Sequence, residues 1–150
     1  MKRRLSLASG AALAILLASA ILASGPDIHE LSVRGSHGWL KFKGIGKIHL
    51  EGRGTLVVKN VSNMNLDLQG TWDRIDPQAD GATYWGFKGS LDAYGTGINV
   101  DLRGWDQVMT FRGREGRAWM RGEGTYSLDG GPDLPWVDHP DKWAKVTFGR

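Results

Sequence analysis

The sequence predicts an all-β domain, a short-stranded antiparallel meander forming a sandwich or roll, preceded by one N-terminal transmembrane helix. Two observations predict this class. Apolar and polar residues alternate over short runs bounded by glycine, which is typical of half-buried strands. The chain also opens with an apolar run as long as a membrane-spanning helix.

The N-terminal segment begins with Lys2, Arg3 and Arg4 and continues as an uncharged run from Leu5 to Gly25. Such a segment is either a cleaved signal peptide or a retained membrane anchor. Its length favours retention, and the positive-inside tendency places the N-terminus in the cytoplasm. We therefore expect a single-pass protein of the cytoplasmic (inner) membrane, with its β domain on the periplasmic or extracellular side. The apolar residues predicted to anchor it in the bilayer are Leu5, Leu13, Ile15, Leu16, Leu17, Ile21 and Leu22.

The chain divides into a helix at residues 1–25, a linker at residues 26–30 and a β domain at residues 31–150. Three of the five prolines fall within residues 130–141, which are predicted to be irregular. One domain of this length can bury a core without disulfides. The chain has no cysteine, which excludes a thiolate metal site and a thiol nucleophile.

An eight-residue pattern, Gly-x-apolar-x-apolar-x-Gly-x, organises the β domain. Gly38, Leu40, Phe42 and Gly44 fill it once, and it recurs from Gly46, Gly54, Gly116 and Gly124. Because strand side chains alternate between faces, the even-numbered apolar residues are predicted to share one face of a sheet. The Gly-x-Gly junctions predict tight hairpin turns, so that each octad is one strand of roughly five or six residues with its turn.

A second repeat runs through the middle of the chain, where Phe-Lys-Gly or Phe-Arg-Gly recurs at residues 42–44, 87–89 and 111–113. Repetition of this kind suggests duplicated hairpins. Residues 73–83 contain Asp-Pro and Asp-Gly turn signals and are predicted to form a polar loop. Trp143 to Phe148 is predicted as a closing strand. Trp72 and Trp105, each followed by Asp, are predicted at sheet corners.

The charge balance argues against a nucleic-acid partner. Of the 19 Lys and Arg, three precede the apolar run, whereas all 16 Asp and Glu follow it, so the exported part carries 16 charges of each sign. A domain with no net charge lacks the electrostatic footprint of a general nucleic-acid binder.

No set of residues indicates catalysis, a cofactor or a metal. The histidines, at positions 29, 37, 49 and 139, have no ligand spacing. Asp73, Asp76 and Asp80 could gather around calcium, although their spacing fits no established calcium loop. Glu51 and Glu123 are candidates for a glycosidase acid pair, but cross-strand pairing is the favoured role. The partners expected for them are Arg53, Arg117 or Arg121.

The tryptophans are the most unusual feature, with seven in 150 residues. Trp39 and Trp119 occupy odd positions, opposite the predicted apolar face, as at protein contacts, sugar platforms and membrane interfaces. Alternatively, a second sheet or the Pro-rich tail covers both rings. A basic cluster is predicted near Trp119, either to meet lipid phosphates or an acidic partner or as a solvated face. Its members are Arg112, Arg114, Arg117 and Arg121.

Two functions remain open. In the first, the protein is a non-catalytic accessory or structural subunit of a larger membrane complex, for example respiratory or photosynthetic, and docks on other membrane subunits through its β domain. The small residues between Ala8 and Ala14 favour close helix packing in lipid, in support of this reading. In the second, it is an exported module with a cleaved signal peptide, whose tryptophan face binds carbohydrate or another envelope component.

Overall fold

The computed structural model of the protein describes residues 28–149. The predicted anchor of residues 1–25 lies outside the described residues, and within residues 28–149 no helix is both long and apolar enough to span a bilayer. The all-β, antiparallel prediction is confirmed. The elements are β1 (His29–Lys59), a 3₁₀ helix (Val61–Asn63), β2 (Met64–Thr71), β3 (Arg74–Gln78), β4 (Gly81–Leu128), β5 (Leu134–Pro135) and β6 (Ala144–Phe148).

Two long strands build most of the sheet. β1 has 31 residues and β4 has 48, and they pair antiparallel in two registers at once. Each part of β1 thus lies between two parts of β4: Leu40, for example, faces Leu102 on one side and Met120 on the other. The four shorter strands pair with β4 alone.

The sheet folds over itself into two layers that share one core. Phe42 of the first layer and Phe111 of the second are not on neighbouring strands, yet their rings meet with centroids 4.5 Å apart. The first layer contains residues 37–44, 54–59, 81–87, 98–104 and 116–122 with β3 and β6. The second layer contains residues 29–35, 46–52, 88–95, 107–113 and 124–128 with β2 and β5.

The Gly-x-Gly junctions are corners of these long strands and not hairpin turns, so the prediction of a short-stranded meander is wrong. At each corner the chain leaves one layer and enters the other while its backbone stays extended and paired. The corner glycines face one another across strands. One row runs through Gly122, Gly38, Gly104 and Gly54, each paired with the next.

Glycine is needed in this row for two reasons. Gly54 has φ +139°, a conformation that residues with a Cβ rarely adopt. A Cβ at Gly54 would also overlap the carbonyl oxygen of Arg103 on the neighbouring strand. The absence of side chains lets the strands approach closely where the sheet bends.

The core lies between the layers and follows the predicted alternation. Leu40, Phe42, Ile48, Leu50 and Leu56 are at most 2% exposed, which confirms that the even-numbered apolar residues share one face. All three phenylalanines of the Phe-Lys/Arg-Gly repeats are buried as well. In residues 29–35 the inward positions are odd-numbered. Ser36 is an extra residue at the next corner and shifts the pairing of β1 with residues 116–128 by one.

Three peripheral segments complete the sheet. The predicted loop at residues 73–83 contains β3, so that prediction is wrong; Pro77 is tolerated because β3 is an edge strand. The closing strand is confirmed as β6, with Ala144 and Phe148 buried. The tail at residues 130–141 has only the two-residue β5 and isolated bridges, as expected, and Trp136 inserts into the core.

Candidate binding face

The outer surface of the first layer is strongly basic. Strand alternation turns its odd-numbered residues away from the core, and the register places Lys41 beside both Asp101 and Trp119. We call this surface, apart from the edge strand β3, the cationic face. Its seven Lys and Arg are Lys41, Lys43, Lys59, Arg103, Arg117, Arg121 and Lys145.

These seven cations lack ion-pair partners within the described chain. None forms a salt bridge with a carboxylate of residues 28–149. Arg74, on the edge strand β3 of the same layer, pairs with Asp76, and Arg53 and Arg112 form salt bridges elsewhere. The outer surface of the second layer is mixed, with four acidic residues and four Lys and Arg. They are Glu30, Glu51, Asp67 and Asp92, with Arg34, Lys47, Lys88 and Arg112. The charges of the domain balance overall, but the cationic face carries an excess of positive charge.

Trp39 is the centre of the cationic face. The guanidinium carbons of Arg103 and Arg121, on the two flanking strands, lie 4.5 and 5.4 Å from its ring centroid, and Nζ of Lys41 lies 5.5 Å from it. The ring of Trp143, which follows the tail, meets it edge-on with the two centroids 5.3 Å apart. The tail therefore covers Trp39 in part, and the ring is half-buried. Its main contacts are cations, which it holds in fixed positions.

Asp101 is the single acid among the outward strand positions of the cationic face. Its carboxylate accepts a hydrogen bond from Trp39 Nε1 at 2.5 Å. Burial raises the pKa of Asp101, although the Trp39 hydrogen bond and the charges of Lys41, Lys59 and Arg103 oppose the shift. Asp101 thus fixes the orientation of the Trp39 indole.

The predicted arginine cluster is split by the fold. Arg117 and Arg121 lie on the cationic face, and Arg117 sits 5.9 Å from the ring centroid of Trp119, which is half-buried. Arg112 instead belongs to the outer surface of the second layer, where it pairs with Glu30 at 2.8 Å. Arg114 is exposed at the corner between the layers. The corner at residues 113–116 separates residues that a straight strand would keep together.

A groove of about 600 Å³ crosses one end of the cationic face, between the sheet and tail residues 138–140. Its lining includes Trp39, Arg103, Trp105, Arg121 and Asp138. Arg121 donates a hydrogen bond to the carbonyl oxygen of Pro140 at 2.6 Å and so joins the tail to the sheet. Trp105 lies at a corner, as predicted, but its ring is 52% exposed. Trp72, by contrast, packs on Tyr84 and Phe87.

The histidines and glutamates are engaged in separate local pairs. His49 lies between Asp92 and Glu51, at 2.7 and 2.6 Å, and the Asp92 hydrogen bond, against the effect of burial, raises the pKa of His49 to about 9. Glu123 lies 3.7 Å from His37. The expected pairing of Glu51 and Glu123 with arginines is therefore wrong, because each has a histidine closer by.

The three aspartates considered for calcium are not gathered. Asp76 accepts hydrogen bonds from Trp85 and Arg74, and Asp80 accepts them from Ser62, with Ser62 Oγ at 2.7 Å. The carboxylate of Asp73 faces Gly86. Within residues 28–149 no group of three or more His, Asp or Glu is arranged to hold a metal ion.

Several residues in or beside the face were not predicted from sequence to have a binding role, among them Arg103, Trp105, Trp143 and Lys145. Counting outward positions on residues 99–103 would have identified Arg103 as a companion of Trp39. No sequence signal brings Trp143 or the tail against Trp39. Comparison of the chain with protein-family models, curated proteins and solved structures finds no match.

Proposed function

We propose that the protein is a non-catalytic binding module of the cell envelope, which holds an anionic envelope component against its cationic face. One observation carries the proposal: seven cations without ion-pair partners in the described chain share one sheet surface with Trp39, Trp119 and Trp143. Leaving so many like charges together is unfavourable unless solvent or an opposite charge compensates them. An anionic ligand would supply that compensation.

The composition of the face favours such a ligand over a tightly packed protein partner. The centres of protein–protein interfaces are depleted in charged residues, and lysine in particular is rare there. The cationic face carries four lysines, at positions 41, 43, 59 and 145. In this proposal residues 1–25 bring the module to the exported side, either as a retained anchor or as a cleaved signal peptide.

The test is binding of the purified full chain, in mild detergent, to acidic polymers extracted from the native envelope. We expect affinity to fall steeply with added salt, because each neutralised contact releases a counterion. The variant Lys43→Gln/Lys145→Gln should bind at least about fivefold more weakly, on the basis of about 0.5 kcal/mol for each exposed charge pair.

The matched control is Arg34→Gln/Lys47→Gln, which removes two charges from the outer surface of the second layer. It should leave the affinity within about twofold, since neither Arg34 nor Lys47 lies on the cationic face. Equal losses in the two double variants would mean that net charge and not the cationic face determines binding, and the proposal would fall.

A second candidate is the non-catalytic accessory subunit, anchored in the cytoplasmic membrane and docked on other subunits of a larger complex. It is favoured by a different surface. β2 and β3 pair only with β4, so within the described chain each presents a free backbone edge. Ile75 of β3 is 41% exposed, and Trp85 on the neighbouring part of β4 is 40% exposed. An open edge with exposed apolar side chains suits docking of a partner strand.

This candidate is tested on native membranes solubilised in mild detergent and separated as intact complexes. We expect the chain to migrate within a stoichiometric complex and to begin near Met1. Ile75→Asp should release it, whereas Leu134→Asp, at the opposite edge, should not. A chain that begins near Gly25 and migrates alone would contradict the accessory-subunit function.

A further inference from the structure

The groove at the end of the cationic face has the chemistry of a site for an acidic sugar. Two of its lining residues, Arg103 and Arg121, flank Trp39 in register on neighbouring strands. Strands are spaced about 4.8 Å apart, so the two arginine backbones lie about 10 Å apart across Trp39. A span of this size matches one ring of a sugar chain and its linkages better than a single small ion.

Both guanidinium groups are prepared to bind a carboxylate. Each has its guanidinium carbon over an indole: Arg103 lies 4.5 Å from the ring centroid of Trp39, and Arg121 lies 4.3 Å from that of Trp143. Stacking uses the flat face of the guanidinium and leaves N–H groups on its edge for hydrogen bonds. Neither group has a carboxylate partner within residues 28–149, and only Arg121 donates to a carbonyl, that of Pro140. A fixed guanidinium edge favours two parallel bonds to one carboxylate.

Trp105 supplies an aromatic surface in the same groove. Its ring is half-exposed, and Arg53 lies over it at 5.7 Å while pairing with Asp106 at 2.8 Å. The indole is thereby restrained from one side. An amphipathic ring with a polar edge is suited to packing against the C–H groups of a sugar. The faces of Trp39, in contrast, are already occupied by cations.

The acids of the groove distinguish a sugar from a densely charged polymer. Asp138 lines it, and Asp101 lies beside it, bound to Trp39. Carboxylates accept hydrogen bonds from hydroxyl groups but repel phosphates. A uronic acid unit carries one carboxylate and several hydroxyl groups, so it can satisfy both the arginines and the acids. A polyphosphate has no hydroxyl groups along its chain to donate to these acids, and a nucleic acid has few.

We propose that this groove binds a uronic acid unit of a linear acidic polysaccharide, with Arg103 holding its carboxylate, Arg121 holding the carboxylate of an adjacent unit, Trp105 packing on its ring and Asp138 accepting from its hydroxyl groups. The site rests on the proposed envelope-binding function and specifies its ligand. Lys41, Lys43 and Arg117 continue from the groove along the face and take the carboxylates of neighbouring units.

The experiment measures binding of the full chain, in detergent micelles, to three defined probes by calorimetry: an oligogalacturonate, a neutral galactan oligomer and a polyphosphate of equal length. We expect measurable binding of the oligogalacturonate and none of the galactan. Arg103→Lys keeps the charge but loses the planar fork, and should weaken oligogalacturonate binding about tenfold, as should Trp105→Ala. Lys47→Ala, on the second layer, should change it less than twofold, and thermal unfolding verifies that each variant is folded.

The outcomes separate the site from the broader function. Binding of polyphosphate without oligogalacturonate would overturn the acidic-sugar site but leave an anion-binding module standing. Failure of every anionic probe and of the envelope extracts would overturn both. Oligogalacturonate binding that survives Arg103→Lys and Trp105→Ala would place the ligand elsewhere on the protein and overturn the groove assignment.

Discussion

Gln107 shows how a single buried residue can secure a corner. Its side chain is 1% exposed, and its Nε2 donates to the carbonyl oxygens of Gly38 and Leu102, at 2.9 and 3.0 Å. Gln107 begins the second-layer segment, whereas both acceptors belong to the first layer. One amide group thus holds the two layers together where the chain changes direction.

Replacing Gln107 should therefore destabilise the fold. We expect Gln107→Leu to lower the free energy of unfolding by about 1–2 kcal/mol, because two buried carbonyls lose a donor. Removal of Oε1, which has no hydrogen-bond partner within residues 28–149, offsets part of this loss. Urea unfolding measures the effect. Gln69→Leu is the matched control at an exposed position and should stay within about 0.5 kcal/mol; equal losses would contradict the role given to Gln107.

His49 predicts a pH dependence of stability. Its folded-state pKa of about 9 lies above the ordinary value of 6.5, so the protonated side chain is favoured by folding. The contribution of His49 to the free energy of unfolding is complete below pH 6.5 and declines as pH rises to about 9. Because the side chain is 36% exposed, screening by solvent makes this contribution smaller. Urea unfolding from pH 5 to 9.5 should show this decline in the native chain and not in His49→Gln; parallel curves would contradict it.

At the scale of elements, the corners decide the architecture. The alternation and the shared apolar face follow from sequence because they depend on neighbouring residues. The path of the chain through Gly44-Ile45-Gly46 cannot be predicted in this way, since the same three residues fit either a turn between short strands or a bend within a long one. Pairing between β1 and distant parts of β4 selects the bend. The groove is equally hidden from sequence, because Trp39 and Pro140 line it together only when the tail lies against the sheet.

The corner row predicts which glycines are sensitive to substitution. Gly54→Ala should lower the free energy of unfolding by at least about 2 kcal/mol, because it combines a positive φ with overlap against Arg103. Gly131, in the tail, does not have a positive φ of this kind, and a Cβ there would only come near the carbonyl oxygen of Leu128. Gly131→Ala should therefore lower the free energy of unfolding much less. Thermal unfolding compares the two. Equal losses would mean that the corner tolerates a Cβ.

At the scale of the whole molecule, overall neutrality conceals a polarised domain. The sequence shows 16 charges of each sign beyond residue 25, a balance that argues against a general nucleic-acid binder. Folding distributes them unevenly, because outward positions of residues 37–44 and 116–122 carry Lys and Arg without an acid, whereas the outer surface of the second layer carries both signs. Net charge therefore describes solubility better than recognition in this protein.

The double pairing of β1 also sets the order in which the molecule can form. Leu40 leaves the ribosome more than sixty residues before either Leu102 or Met120, its partners in the sheet. Until β4 is complete, β1 is an unpaired strand with an apolar side and free backbone groups, which is a template for aggregation. Sheets closed by such distant contacts fold slowly. β1 can complete its pairing only after β4 has been synthesised, and a chaperone that covers its apolar side during that interval would protect the chain from aggregation.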